Sequence, residues 1–220
     1  MDALETFDKA LTESERQVVA HLTTPGKIQT FLDQLTYSAE NTYRCPLRVM
    51  RERTGHCFDG ALFAAAMLRR LGYPPLILDM LPNDRDDDHL LAVFKKDGHW
   101  GALANSNFAG LRFREPIYRN LRELVLSYFE QYYNVEREKT LRSYTRPLNL
   151  KVFDHYDWMT RDEPLEEIAK RLDEIAQVPL LTGPMIAGLS LVDERSFRAG
   201  LLGANEAGLY QPSRNRHCIT

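Results

Sequence analysis

Apolar residues recur at helical spacing near the start of the chain, at Leu4, Phe7, Ala10 and Leu11, and again at Ile28, Phe31, Leu32 and Leu35. Both runs predict amphipathic helices, with Pro25-Gly26 separating them. Arg44-Cys45-Pro46-Leu47 reads as extended chain, because proline biases the residue before it away from helix. From Phe58 to Leu71 nearly every position is apolar or alanine, which predicts a buried helix stopped by Gly72 and sealed by Pro74-Pro75. Leu76 to Met80 has strand length, and His89 to Phe94 resumes as a strand after the acidic loop Pro82 to Asp88, which reads as solvated. Lys96-Asp97-Gly98 turns the chain into a partner strand, Trp100 to Ala104.

Beyond Gly110, Leu121, Leu124, Val125, Tyr128 and Phe129 mark an amphipathic helix beginning after Pro116. Leu165, Ile168, Ala169, Leu172 and Ile175 share one face of a further helix from Pro164 to Ala176. The stretch from Leu180 is glycine-rich and follows neither period. Helices followed by an antiparallel sheet make the fold class α+β. Residues 1–42 read as N-terminal helices, 43–110 as the core and 111–220 as a mainly helical extension, all within a single domain.

With 220 residues and 44% hydrophobic content, the chain can bury a substantial core. A net charge of −3 supplies no basic footprint, so nucleic acid is not an expected partner. The start, Met1 to Glu5, lacks the basic and apolar regions of a signal peptide, and no run approaches the roughly 20 apolar residues of a membrane span. The expected location is the cytoplasm, away from membranes. Cys45, Cys57 and Cys218 are odd in number and irregularly spaced, which fits reduced thiols. No Cys-x-x-Cys or His-x-x-x-His spacing is present, and the aspartates at 84 and 86–88 lack the glycine and terminal glutamate of a calcium loop. Neither metal nor cofactor is expected.

Cys57 stands at the mouth of the buried helix, where free backbone N–H groups and the positive dipole end lower a thiol pKa and can receive an oxyanion. His89 opens a strand after a polar loop and is the candidate base. The third residue depends on the hairpin. A three-residue loop at 96–98 puts Asn105 opposite His89, and a two-residue turn at Asp97-Gly98 puts Ser106 there; Asn107 shares the face of Asn105. An amide oxygen accepting the Nδ1 proton would leave Nε2 for the thiol. Tyr43, His56 and Trp100 are candidate substrate contacts, with Tyr37 a further pocket residue. Arg112, Arg114 and Glu115 read as surface ion pairs.

The run Gly55-His56-Cys57-Phe58-Asp59-Gly60-Ala61, the helix end Leu68-Arg69-Arg70-Leu71-Gly72-Tyr73, and the strands begun by His89 and holding Trp100 resemble the core of transglutaminase-like proteins over about residues 43–110. The resemblance implies a papain-like α+β core with a Cys–His–Asp/Asn triad, here Cys57, His89 and Asn105. It implies acyl transfer on a peptide, protein or small amide, without specifying an oligomeric state. The family more often has Asp third, and no Asp follows Trp100 within residues 43–110. A weaker resemblance, through Phe58-Asp59 and His89-Leu90-Leu91-Ala92-Val93, is to arylamine N-acetyltransferases. That family's paired glycines before the cysteine and its Asp-Val-Gly-Phe-Gly segment are missing. A non-catalytic module that binds peptide or protein in the same groove is the alternative from outside enzymology.

Overall fold

A computed structural model describes residues 3–212. Three helices come first: α1 (Ala3–Ala10), α2 (Glu13–His21) and α3 (Pro25–Leu32). The second escapes the periodicity but carries a start signal. Thr12 accepts the Glu15 N–H, and the Glu15 carboxylate accepts the Thr12 N–H in return. Pro25 opens α3 rather than separating two helices, since a residue at the first helical position needs no N–H partner. The same rule corrects the extended reading of Pro46-Leu47. After β1 (Thr36–Tyr37), Cys45 is extended as expected, but Pro46 starts α4 (Pro46–Glu52). A two-residue strand, β2 (Thr54–Gly55), pairs in parallel with β1 and delivers the chain to α5 (Cys57–Arg70).

Every residue of α5 from Cys57 to Leu68 is buried. Its alanines, Ala64 to Ala66, have no exposure and let the helix lie close on its neighbours, while Phe63 stacks on Phe31 of α3 with ring centroids 4.6 Å apart. Gly72, at φ +88°, ends the segment. The chain then forms β3 (Leu76–Pro82), β4 (His89–Lys96) and β5 (His99–Leu103). In the β4–β5 hairpin Lys96 pairs with His99 and Ala92 with Leu103, so the connection is the two-residue Asp97-Gly98 turn. Both turn residues have positive φ, 49° and 83°, as this tight turn demands.

The remaining elements are β6 (Arg114–Tyr118), α6 (Leu121–Leu126), β7 (Leu141–Thr145), β8 (Leu148–Asn149), α7 (Leu165–Asp173), β9 (Gln177–Pro179), α8 (Gly183–Ala187) and α9 (Glu194–Gly200). The sheet runs β6-β5-β4-β3-β7-β9, with β8 also on β3, and every pairing in it is antiparallel. The segment after Gly110 therefore contributes four strands to the sheet as well as helices. Pro116 lies inside edge strand β6, where a missing N–H is tolerated.

Alternation divides the sheet into two faces. Ile77, Leu90, Ala92, Phe94 and Leu103 pack with α5 and the N-terminal helices. Leu78, Met80, Leu91, Val93, Ala102, Leu111 and Tyr132 form a second core on the other face with α6. The architecture is the expected α+β class: a buried helix carrying Cys57 lies on an antiparallel sheet, with further helices toward both ends. No helix among the described residues is long and apolar enough to cross a membrane.

Candidate active site

The mouth of α5 is held by a buried polar network. The Asp59 carboxylate accepts the backbone N–H groups of His56 (3.2 Å) and Arg44 (2.8 Å). The Arg44 guanidinium lies 3.6 Å from Asp59, and it also pairs with Glu52 at 3.0 Å and with Glu40. Burial pushes the Asp59 carboxyl up to about 6 against the pull of these donors. On the sheet side Asn105 donates from Nδ2 to the carbonyls of Gly55 (2.7 Å) and His56 (3.4 Å). A Cβ at Gly60 would sit 2.3 Å from the Asn105 Cβ, so glycine there allows α5 to close on this residue.

Cys57 begins α5 with 7% exposure. Its Sγ donates to the Asp88 carbonyl at 3.9 Å and accepts from the Leu90 N–H, so the sulfur meets the main chain on both sides of His89. The Tyr37 hydroxyl lies beside Cys57, close to its backbone N–H and thiol. Helix-mouth placement favours thiolate, but burial, followed by the charges of Asp88 and Asp87, outweighs it and pushes the thiol well above its ordinary value. In this arrangement the sulfur carries its proton.

His89 belongs by strand alternation to the second core. It pairs with Met80, and its ring stands edge-on to Tyr132 with centroids 6.5 Å apart. Nε2 lies 2.8 Å from the Leu111 carbonyl, which only accepts, so Nε2 holds the proton and Nδ1 the lone pair. Burial lowers the imidazole to about 4, offset in part by that carbonyl, and the ring is neutral at pH 7. This inverts the expected arrangement: a main-chain oxygen holds Nε2, and among the described residues no amide side chain holds Nδ1. The recorded contacts of Cys57 reach the His89 main chain, not its ring.

The two-residue turn makes Ser106, not Asn105, the extrapolated partner of His89, yet none of the three candidates orients the ring. Asn105 buttresses the α5 mouth, the Ser106 Oγ accepts the Phe108 N–H at 3.1 Å, and Asn107 binds Asn205. Asn107 donates to the Asn205 carbonyl at 2.8 Å and accepts its N–H at 2.7 Å. Tyr43 leans on Phe58 and His56, with centroids at 4.5 and 5.8 Å. His56 sits beside Asp59 and is driven down to about 4 by burial and then by the Arg44 charge. Trp100 does not line the site. It pairs with Lys95, six residues and roughly 20 Å along β4 from His89, and packs at the far end of the second core.

A second correction concerns the acidic loop, which folds inward at its end. Asp79 lies on the α5 face of β3, paired with Leu90, and is 2% exposed. Its Oδ1 has no partner, and its carboxyl hydrogen-bonds that of Asp88. Burial raises both acids first; the Asp88 charge adds to it at Asp79, and the Asp87 and Asp173 charges add to it at Asp88, whereas the hydrogen bond from Asp79 pulls Asp88 down, so the pair shares a proton. Asp86 is likewise raised to about 6 by burial. Period-two parity in β4 is the signal that places Asp88 with Leu90 on the α5 face. Among the described residues, no three or more His, Cys, Asp or Glu side chains are grouped to hold a metal ion.

Beside the mouth, a cleft of about 230 Å³ is lined by residues of α3, β1, the 105–107 segment and the C-terminal chain at 203–205, with Arg112 and Asp33 paired at 3.5 Å on its wall.

No family model matches the chain, and no curated protein matches it. Solved structures that resemble it include two of Legionella pneumophila LapG, one of them EGTA-treated. Each is 13% identical at a TM-score of 0.34, covering 47% of this chain and 68% of LapG.

Proposed function

We propose that this chain is a cysteine acyl-transfer enzyme of the transglutaminase-like kind, a peptidase, amidase or amine acyltransferase, held here in a closed resting form. The observation that supports this reading is the position of the Cys57 sulfur at the mouth of a buried helix, astride the main chain of a neutral His89 whose Nε2 is already anchored. In the proposed reaction the sulfur leaves the Asp88 carbonyl, gives its proton to His89 Nδ1 and bonds to the carbonyl carbon of an amide, ester or thioester. The carbonyl electron pair moves onto oxygen, where the free N–H groups of α5 stabilise it. Collapse breaks the bond to the leaving group, which takes the proton from His89, and a thioester on Cys57 remains. Water as the second acceptor gives hydrolysis; an amine gives transfer.

A non-catalytic peptide- or protein-binding module is the second reading. The observation favouring it is the environment of the thiol, where burial and carboxylates oppose ionisation.

The rate of Cys57 alkylation by iodoacetamide, followed from pH 5 to 10 in the natural protein and in His89→Ala, separates the two. Alkylation proceeds only from an open form, so the midpoint of the profile reports the thiol of that form. The enzyme reading expects a midpoint below the ~8.5 of a free thiol, moving upward in His89→Ala. A midpoint at or above 8.5 in both proteins rejects it and leaves the binding module.

A further inference from the structure

The C-terminal chain packs against the candidate site from outside. Its root, α9, docks on Tyr133: the Tyr133 hydroxyl donates to the Ser196 carbonyl at 3.0 Å, and the Tyr133 ring lies 5.9 Å from that of Phe197. Gly200 touches the same tyrosine, where a Cβ would fall 1.8 Å from the hydroxyl oxygen. After a bend at Gly203 the chain meets the site itself. Asn107 holds both main-chain polar atoms of Asn205, the Asn205 Nδ2 donates to the Tyr37 carbonyl at 2.9 Å, and Gly208 packs on the Tyr37 ring, where a Cβ would approach to 3.0 Å. Tyr37 in turn presents its hydroxyl to the N–H and thiol of Cys57.

The Cys57 N–H is a donor that an oxyanion formed at that sulfur would use, and the Tyr37 hydroxyl lies beside it. A carbonyl substrate and the Tyr37 hydroxyl therefore compete for one place. Tyr37 lies on a two-residue strand that, among the described residues, pairs with β2 alone. Its position over Cys57 depends on what holds it from the other side.

We propose that residues 194–210 form an autoinhibitory strap that clamps Tyr37 onto Cys57, and that Cys57 becomes accessible only when the strap lifts. At the site itself the strap's hydrogen bonds are local, made by the side chains of Asn107 and Asn205, and its packing falls on Tyr133 and Tyr37, outside the apolar core of α5 and the sheet. Lifting it therefore does not require unfolding of α5 or the sheet. The proposal rests on Cys57 as the reactive group, but its test requires no turnover.

The test uses the full chain, natural and carrying Asn205→Ala or Asn107→Ala, with iodoacetamide at pH 8.5 and peptide-resolved mass spectrometry. Cys45, 3% exposed at the N-terminal cap of α4, serves as the internal reporter of global opening. The strap requires Cys57 alkylation to rise roughly tenfold or more in either variant, the size expected for losing one or two hydrogen bonds that hold a closed state, with Cys45 unchanged. An unchanged Cys57 rate in both variants overturns it, as does a rise in which Cys45 follows in parallel. If Cys57 opens but keeps the pH profile of an ordinary thiol, the strap stands and the enzyme reading falls.

Discussion

Asp79→Asn should stabilise the protein at neutral pH, the reverse of what removing a buried charged residue commonly does. In the natural chain the Asp79 and Asp88 carboxyls face each other beneath α5 and are joined by a hydrogen bond that needs a shared proton. Their folded pKa values lie above the ordinary carboxylate value of 3.8 because burial, and then the charges of neighbouring aspartates, disfavour the ionised form. The folded state therefore binds more protons than the unfolded chain once pH exceeds about 4, and stability falls as pH climbs from there through the raised values. An asparagine keeps the shape and offers Asp88 an N–H that never titrates. A buried polar group without its partner costs about 1–3 kcal/mol, so the stability difference between variant and natural protein should open from near zero at pH 4 to about 2 kcal/mol at pH 8. For a chain of this size that corresponds to roughly 4–8 °C in Tm. His56 and His89, both lowered to about 4, slope stability the opposite way between pH 4 and 6.5. They are common to both proteins and cancel in the difference. Guanidinium titrations at half-unit pH steps provide the measurement. A variant less stable than the natural protein at pH 8, or a difference that does not depend on pH, would refute the shared proton.

Arg44→Met should destabilise the fold by about 3–5 kcal/mol at pH 7, because Arg44 is 3% exposed and its loss leaves Asp59 as a buried carboxylate without its cation; denaturant titration reads the loss. Gly60→Ala should cost about 1–3 kcal/mol, since the new Cβ falls 2.3 Å from that of Asn105 and α5 or the 105–107 segment must shift; thermal melting checks it, and an unchanged Tm contradicts the close approach. Gly98→Val should cost about 1–2 kcal/mol because a β-branched residue cannot take φ 83° without strain, and hydrogen exchange should quicken at the β4–β5 turn while α5 stays protected.

The elements written by local rules were legible before any coordinates. An uninterrupted apolar run predicted α5, closed by Gly72 as expected, and strand-length runs around Asp97-Gly98 predicted the hairpin. These signals act within a few residues, through burial periodicity and turn stereochemistry. Short elements held by tertiary contact were not legible. β7, β8 and β9 are two to five residues long and exist because neighbouring strands offer unpaired edge groups, β3 to β7 and β8 and β7 to β9, while α2 is marked only by its capping box and α4 by the proline at its first position.

The candidate site divides along the same line. Sequence alone determined that Cys57 opens a buried helix and that His89 opens a strand, because both follow from the hydrophobic pattern around them. It did not determine what each side chain meets. A single residue of hairpin register decides which of Asn105 and Ser106 faces His89, and strand parity sends Asp88 beneath α5 while it turns the His89 ring toward Leu111 and Tyr132. Contacts that join Tyr37 to Asn205, or Asn107 to the same residue, span about a hundred positions or more and leave no periodic trace. Only the packed chain sets the burial that protonates the thiol, neutralises the imidazole and lets two aspartates share a proton. Each of those states depends on how much water and charge surround the group, and chain order does not carry that quantity.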